Sequence, residues 1–349
     1  MNDILVRIPD EGKKLYDDMH SGRILGAANH IRMIGDILRM VAALDTDDAD
    51  NADNVTDEPT GTASSEEMRR KDVLDLCRFF QNTRGKSSYA IVTALNLMTR
   101  YVRALPQADV ALGGHSADAT DIARALQRGI DEYLLQADEN ASSIVEYAGR
   151  LAQSMDAFIV YDYSSTVEAF VASLAQPRRI YVPESRIIDG GKPFLSTFAH
   201  VGHDVHYIPD AAMLTVLGEC HGAFIGAETF YPDGTAFNTA GSDILAELCA
   251  ARSIPYYVLT PLIKLDMRAA FGIYKQPIKG NMSDILGKSL DPELRSRLHM
   301  SCIELVAIPP AHITAFVTEA GIVPPAALYG LSVEYDRRVN ALTERSTDR

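Results

Sequence analysis

From Ala223 to Leu259 the chain reads as a short apolar run, a turn-rich loop, a helical stretch and a second apolar run. Ala223 to Ala227 (Ala-Phe-Ile-Gly-Ala) is followed at once by an acid, Glu228. Tyr231 to Thr239 contains Pro-Asp-Gly and reads as a loop. Ile244 to Ala251 carries apolar residues at helical spacing, and Pro255 to Leu259 is a second strand. This order places Glu228 and Asn238 at the carboxyl end of a parallel strand, where open α/β sheets hold their ligands. It places Gly241 and Ser242 at a helix start, where free backbone N–H groups attract anions such as phosphate.

The same alternation extends from Ala157 onward. Strand candidates are Ala157 to Val160, Arg179 to Val182, Val205 to Ile208, Ala223 to Ile225, Pro255 to Leu259 and Cys302 to Val306, with helical stretches between them. Such a pattern predicts a parallel sheet with right-handed crossovers. Residues 1 to 150 read as helical instead. Leu15 to Leu44 carries a stripe at Leu25, Ile31, Ile34, Ile37 and Leu38. Val73 to Phe80, Ser88 to Arg103 and Ala119 to Ser154 are further helices, the last two separated by Gly113-Gly114-His115-Ser116. Residues 45–67 are rich in Asp, Asn, Thr and Ser and predict an acidic mobile loop. The division expected is 1–150 helical, 151–330 α/β, and 331–349 a charged tail.

The 349 residues allow about two domains. Net charge is −14, which argues against a broad nucleic-acid or anionic-membrane surface. Residues 1 to 20 carry Asp3, Asp10, Glu11, Asp17 and Asp18, unlike a signal peptide, and no apolar run reaches the roughly 18 residues that span a bilayer. Cys77, Cys220, Cys249 and Cys302 form no Cys-x-x-Cys pair, which fits buried thiols in a reducing cytoplasm.

Four ordered segments carry a resemblance. They are Gly226-Ala227-Glu228 through Asn238-Thr239-Ala240-Gly241-Ser242 to Ile254-Pro255-Tyr256-Tyr257-Val258; Glu184-Ser185-Arg186 with Gly190-Gly191; Asp210-Ala211-Ala212; and Ile308-Pro309-Pro310 through Ala320-Gly321. Thinner matches are Gly26-Ala27 and Asn82-Thr83-Arg84. Together they resemble the family that contains methylthioribose-1-phosphate isomerase, ribose-1,5-bisphosphate isomerase and the alpha, beta and delta subunits of translation initiation factor 2B. The resemblance implies a helical N-terminal domain joined to a Rossmann-like parallel α/β domain, a homodimer, and a phosphorylated sugar or nucleotide as ligand.

The isomerases of that family move a proton from C2 to C1 of an aldose phosphate, which needs one group for the carbon-bound proton and another for the oxygens. The resemblance implies a cysteine after the first strand and an aspartate after Gly-Ala. Here Asp162 or Tyr163 falls at the first position and Glu228 at the second. Paired carboxyls in one pocket push each other's pKa values apart, so Asp162 and Glu228 form a replacement acid–base pair. The opposing reading is a non-catalytic pocket, with Asp162 capping a helix and Glu228 holding a sugar hydroxyl. The family's Asn-Lys stands here as Asn238-Thr239, and its Arg-Gly-Ala as Leu25-Gly26-Ala27, so a lysine and an arginine are missing. Phosphate contacts then fall to Arg84, Lys86, the backbone at Gly26-Ala27 and the Gly241-Ser242 helix start, with Arg23 within reach. Tyr163, Ser164, Arg186 and Asn238 complete the expected binding set.

No metal or redox cofactor is required for such chemistry. His200, His203 and His206 are separated by Gly202 and by a change from helix to strand, which argues against a shared metal. Arg84-Gly85-Lys86-Ser87-Ser88 has the ending of a nucleotide loop without its first glycine. Three functions stay open: an aldose–ketose sugar-1-phosphate isomerase, a regulatory or sensor protein akin to the initiation-factor alpha subunit, and a family member recruited to different chemistry on an unphosphorylated or nucleoside-linked sugar.

Overall fold

The computed structural model describes residues 3–21, 24, 26–43, 65–105, 119–281 and 290–344. Arg23, Leu25, residues 45–64 of the expected acidic loop and the Gly113–Ser116 run lie outside the described residues. The chain divides into two units, Met1–Ala137 with Arg337–Arg349, and Asp138–Asp336.

The first unit is helical. The helix expected over Leu15 to Leu44 is two helices, Asp10–His20 and Ala27–Ala42, and the second starts at Gly26, whose φ of +91° is a conformation side chains resist. Ile31, Ile34, Ile37, Leu38 and Val41 form its buried stripe. Val73, Leu76 and Phe80 on Ser65–Asn82 and Ile91, Leu95 and Met98 on Tyr89–Met98 are buried with them. Each such side chain contributes about 1.5–3 kcal/mol by leaving water. The helix expected over Ser88 to Arg103 also breaks, at Thr99, whose hydroxyl donates 2.7 Å back to the Leu95 carbonyl.

The described residues of the second unit hold twelve strands: β1 Ala157–Tyr161, β2 Arg179–Pro183, β3 Asp204–Ile208, β4 Ala223–Ile225, β5 Thr229–Phe230, β6 Ala236–Thr239, β7 Tyr256–Leu259, β8 Lys279–Asn281, β9 Ser301–Ile303, β10 Leu305–Ile308, β11 Ala315–Thr318 and β12 Gly321–Val323. Seven make the main sheet in the order β12-β11-β7-β4-β1-β2-β3. All pairs are parallel except β11 with β12. Alternate residues serve opposite faces. Ile159, Tyr161, Ile225, Val258 and Phe316 join one core with Leu245 and Cys249 of the helix Ser242–Arg252. Phe158, Val160, Phe224, Leu259 and Val317 join the other with Val167 and Phe170 of the helix Ser165–Ala172. Burial on both faces explains why these strands read as unbroken apolar runs.

Three expectations are corrected in this unit. The stretch read as a loop from Tyr231 to Thr239 is half of an antiparallel hairpin, β5 with β6, so Asn238 sits on an antiparallel strand. The single strand expected over Cys302 to Val306 is two: β9 pairs with β8, and β10 pairs with β6 in a separate three-stranded sheet. The stretch read as a tail from residue 331 begins inside a helix, Leu328–Glu344, whose Leu328 is fully buried. Among the described residues no helix is long and apolar enough to cross a membrane.

Candidate functional site

The strand order fixes where a site belongs. From β1 the chain moves outward to β2 and β3, then returns to place β4 on the other side of β1. The carboxyl ends of β1 and β4 therefore flank the topological switch point, the crevice in which doubly wound sheets bind ligands. Asp162 follows β1 and Gly226-Ala227-Glu228 follow β4. Ser185 follows β2, and Asp210 follows β3. Three non-glycine residues at this rim are left-handed: Asp162 (φ 58°), Ser185 (φ 49°) and Asp189 (φ 53°). Such backbones cost about 1–3 kcal/mol each and persist where surrounding contacts hold them.

Asp162 is only 5% exposed. Thr239 Oγ1 donates to its Oδ2 at 2.8 Å, and Ser185 Oγ donates to its Oδ1 at 3.0 Å. Burial raises its carboxyl from the ordinary 3.8 to about 6; the Glu228 charge pushes the same way, while the bonds from Thr239, Ser185 and the Tyr163 amide hold it down. Asp162 thus changes charge close to neutral pH, within electrostatic range of a second acid. It does not cap the helix Ser165–Ala172: Ser164 does, accepting from the Val167 amide.

Ser185 is itself held from below. Its amide donates to Asp210 Oδ1 and the Arg186 amide to Asp210 Oδ2, both at 2.9 Å. The Arg186 side chain is half exposed, 3.7 Å from both Glu184 and Asp189. Tyr163 turns away from Asp162. Its hydroxyl donates 2.9 Å to Glu168, and burial with that bond pushes it up to about 12.

The helix start at Gly241-Ser242 differs from expectation. Gly241 is left-handed (φ 105°), and a Cβ there would lie 1.8 Å from the Tyr161 hydroxyl. Its amide is not free: it donates 3.0 Å to Asp243 Oδ1 of the same first turn. The internal carboxylate takes the place a phosphate was expected to fill. Ser242 Oγ, one residue on, is fully buried without a hydrogen-bond partner. Asn238 is buried on β6, opposite Val306.

A cation that the sequence reading passed over stands at this rim. Lys264 Nζ donates 2.6 Å to the Ala227 carbonyl, one residue before Glu228, and Thr229 Oγ1 donates 2.8 Å to the Lys264 carbonyl. Burial lowers the Lys264 ammonium and the Glu228 charge opposes that. No local motif marks Lys264; its relation to Glu228 arises from the turn after β7. Half-buried Glu228 is anchored through its amide to the Phe237 carbonyl at 2.8 Å.

Gly26, Ala27, Arg84 and Lys86 belong to the N-terminal unit. Arg84 Nη2 lies 2.6 Å from His30 Nδ1, and His30 Nε2 lies 2.8 Å from the Ile24 carbonyl. Arg84 Nε is buried without a partner. Ala27 is buried and Lys86 exposed.

The chain is a doubly wound α/β protein with buried and half-buried carboxyls flanking its switch point, the place where sheets of this kind bind small molecules. The chain belongs to the Initiation factor 2 subunit family, whose model (IF-2B) matches residues 59–325. It is 30% identical over 185 residues to a Methanocaldococcus jannaschii protein provisionally named methylthioribose-1-phosphate isomerase, a match that covers 51% of this chain and 53% of that relative. The chain therefore spans about half the length of that relative. Among solved structures it is similar to 5-methylthioribose 1-phosphate isomerase from Pyrococcus horikoshii OT3 (TM-score 0.69, 16% identity, 93% and 88% of the two chains). It is also similar to a chain of the tetrameric eIF2B-beta2-delta2 complex from C. thermophilum (TM-score 0.59, 15% identity, 93% and 94%). At those identities the structures show the fold.

Proposed function

We propose that this protein is a cytoplasmic aldose–ketose isomerase of the family's sugar-phosphate type, with Asp162 and Glu228 as its acid–base pair. The observation that carries the reading is the Asp162 carboxyl: buried, held by two hydroxyls, raised to about 6 and sensitive to the charge of Glu228. A general acid or base works best when its pKa lies near the working pH. For a furanose 1-phosphate the balanced change is as follows. The C1–O4 ring bond breaks as O4 receives a proton, the C2 proton leaves, C1 gains a proton, and the O2 hydroxyl loses its own to become the C2 carbonyl. One carboxyl carries the carbon-bound proton from C2 to C1. The other carries a proton from O2 to O4. Asp162, whose two oxygens are already held by hydroxyls and whose carboxyl is raised to about 6, is assigned the oxygens, and Glu228 the carbons. Lys264 and the buried Ser242 hydroxyl supply polar contacts for an anionic sugar, with Asn238 and Arg186 beside them. The family resemblance supports a homodimer, and the net charge of −14 supports a metabolite rather than a nucleic acid as ligand.

The test is incubation of the protein with ribose 1,5-bisphosphate and methylthioribose 1-phosphate in deuterated water. Ketose formation or C–H exchange, lost in both Asp162→Asn and Glu228→Gln, is the expected result. Tight binding with neither ketose nor exchange would overturn it.

One observation favours a second reading, a non-catalytic regulatory or sensor protein. Asp243 already occupies the Gly241 amide, and both Asp162 oxygens are bonded within the chain. Binding of a sugar phosphate or nucleotide without turnover is its signature.

A further inference from the structure

We propose that Asp210 is a positioning residue for Asp162, acting through the turn that begins at Ser185. This rests on the reading of Asp162 as an acid–base group. Asp210 stands just past the end of β3, two strands away from β1. Its two carboxylate oxygens accept the successive amides of Ser185 and Arg186, each at 2.9 Å. Charge-assisted bonds of this kind are strong and directional. They hold Ser185 in a left-handed backbone that a serine adopts only under constraint.

The consequence is a fully buried Ser185 whose hydroxyl donates to Asp162 Oδ1 at 3.0 Å. The turn then closes on itself, with the Gly190 amide donating to the Ser185 carbonyl at 3.2 Å. Gly190 is pressed against the same carboxylate oxygen: a Cβ there would fall 1.9 Å from Asp162 Oδ1 and 3.2 Å from Ser185 Oγ. One oxygen of Asp162 is thus clamped between a hydroxyl and a glycine backbone, and Asp210 locks the clamp. Glu228 and Tyr161 lie within electrostatic reach of Asp162, and Tyr161 in turn interacts with Asp210 and Ser185.

The test is a carboxyl-carbon NMR titration of Asp162, identified by its absence in Asp162→Asn. It is run on the full chain as wild type, Ser185→Ala, Asp210→Asn and the double variant. Loss of the Ser185 donor raises the Asp162 midpoint, and Asp210→Asn is expected to raise it too, by roughly half to one pH unit. The double variant should add nothing to Ser185→Ala alone. A direct charge effect has the opposite sign, because removing a neighbouring negative charge lowers the midpoint. A downward shift, no shift, or effects that simply add would overturn the proposal. Should Asp210→Asn not fold, Gly190→Ala keeps the question open to decision: its methyl must displace the Asp162 carboxyl, and an unmoved midpoint there overturns the clamp. Wild-type exchange in deuterated water is measured separately. Its absence defeats the isomerase reading and leaves the Asp210–Ser185–Asp162 coupling standing or falling on the titration alone.

Discussion

Thr239 and Asp162, from β6 and the end of β1, meet through a 2.8 Å hydrogen bond from Thr239 Oγ1 to Asp162 Oδ2. The resemblance implies a lysine at the position of Thr239 and, in the isomerases, a cysteine at Asp162 or Tyr163. A buried acid needs donors, and a threonine hydroxyl supplies one without adding a second buried charge.

Thr239→Val keeps the shape and removes the donor. Asp162 then ionises less readily, and the ionised form is left short of one partner. At pH 8 the variant should lose about 1–3 kcal/mol of stability, and much less at pH 5, where Asp162 is largely protonated. Denaturant unfolding at the two pH values measures this, and equal losses at both would contradict it.

Asp162 also sets a pH dependence for the wild type. Its folded-state pKa, about 6, lies above its ordinary 3.8, so between these values the native chain binds the proton more tightly than the unfolded chain. Stability from this group is therefore greatest below pH 4 and falls as pH rises to about 6. At 1.36 kcal/mol per pH unit the fall is roughly 3 kcal/mol at most. Asp162→Asn should abolish this segment of the profile and unfold later than wild type at pH 8. A pH scan of urea midpoints from 4 to 8 decides it.

Lys264→Met removes the ammonium that donates to the Ala227 carbonyl beside Glu228. If the rim receives an anionic sugar, binding of ribose 1,5-bisphosphate should weaken roughly tenfold to a hundredfold, the usual worth of a hydrogen bond to a charged group. Calorimetric titration reads this directly, and unchanged affinity would remove Lys264 from the binding set.

Gly241→Ala meets two obstacles, a backbone at φ 105° and a methyl placed 1.8 Å from the Tyr161 hydroxyl. That hydroxyl donates 3.0 Å to the Ala240 carbonyl, so the clash reaches the chain next to the helix start. A loss of more than about 2 kcal/mol is expected in thermal or urea unfolding. Gly218→Ala, with nothing within 4 Å of the added carbon, is the control.

What could be read from sequence follows from range of interaction. β1, β2, β4 and β7 were legible because both faces of each are buried, which leaves an apolar run; β3, at the sheet edge, is only partly covered and read as a strand from its alternation, Val205-His206-Tyr207-Ile208. β11 was not singled out, although Ala315 to Thr318 is as buried as the others, because Thr314 and Thr318 frame a run too short to stand apart. The β5–β6 hairpin looked like a loop because its Pro-Asp-Gly turn outweighs two very short strands. At the rim, Asp162 and Glu228 were visible from their place after strands. Ser185, Asp210, Thr239 and Lys264 acquire their present partners only when the ends of β1, β2, β3, β4, β6 and β7 come together, and no spacing in the chain records that. Tyr163 looked like a ligand contact and is instead tied to Glu168, five residues along its own helix entry.

The Asp243–Gly241 bond has a consequence for any anion that seeks this helix. The newcomer meets a tethered rival whose local concentration is set by the chain itself and never falls. Such a rival weakens the apparent affinity of any anion at this helix start by a constant factor, whatever the concentration of that anion.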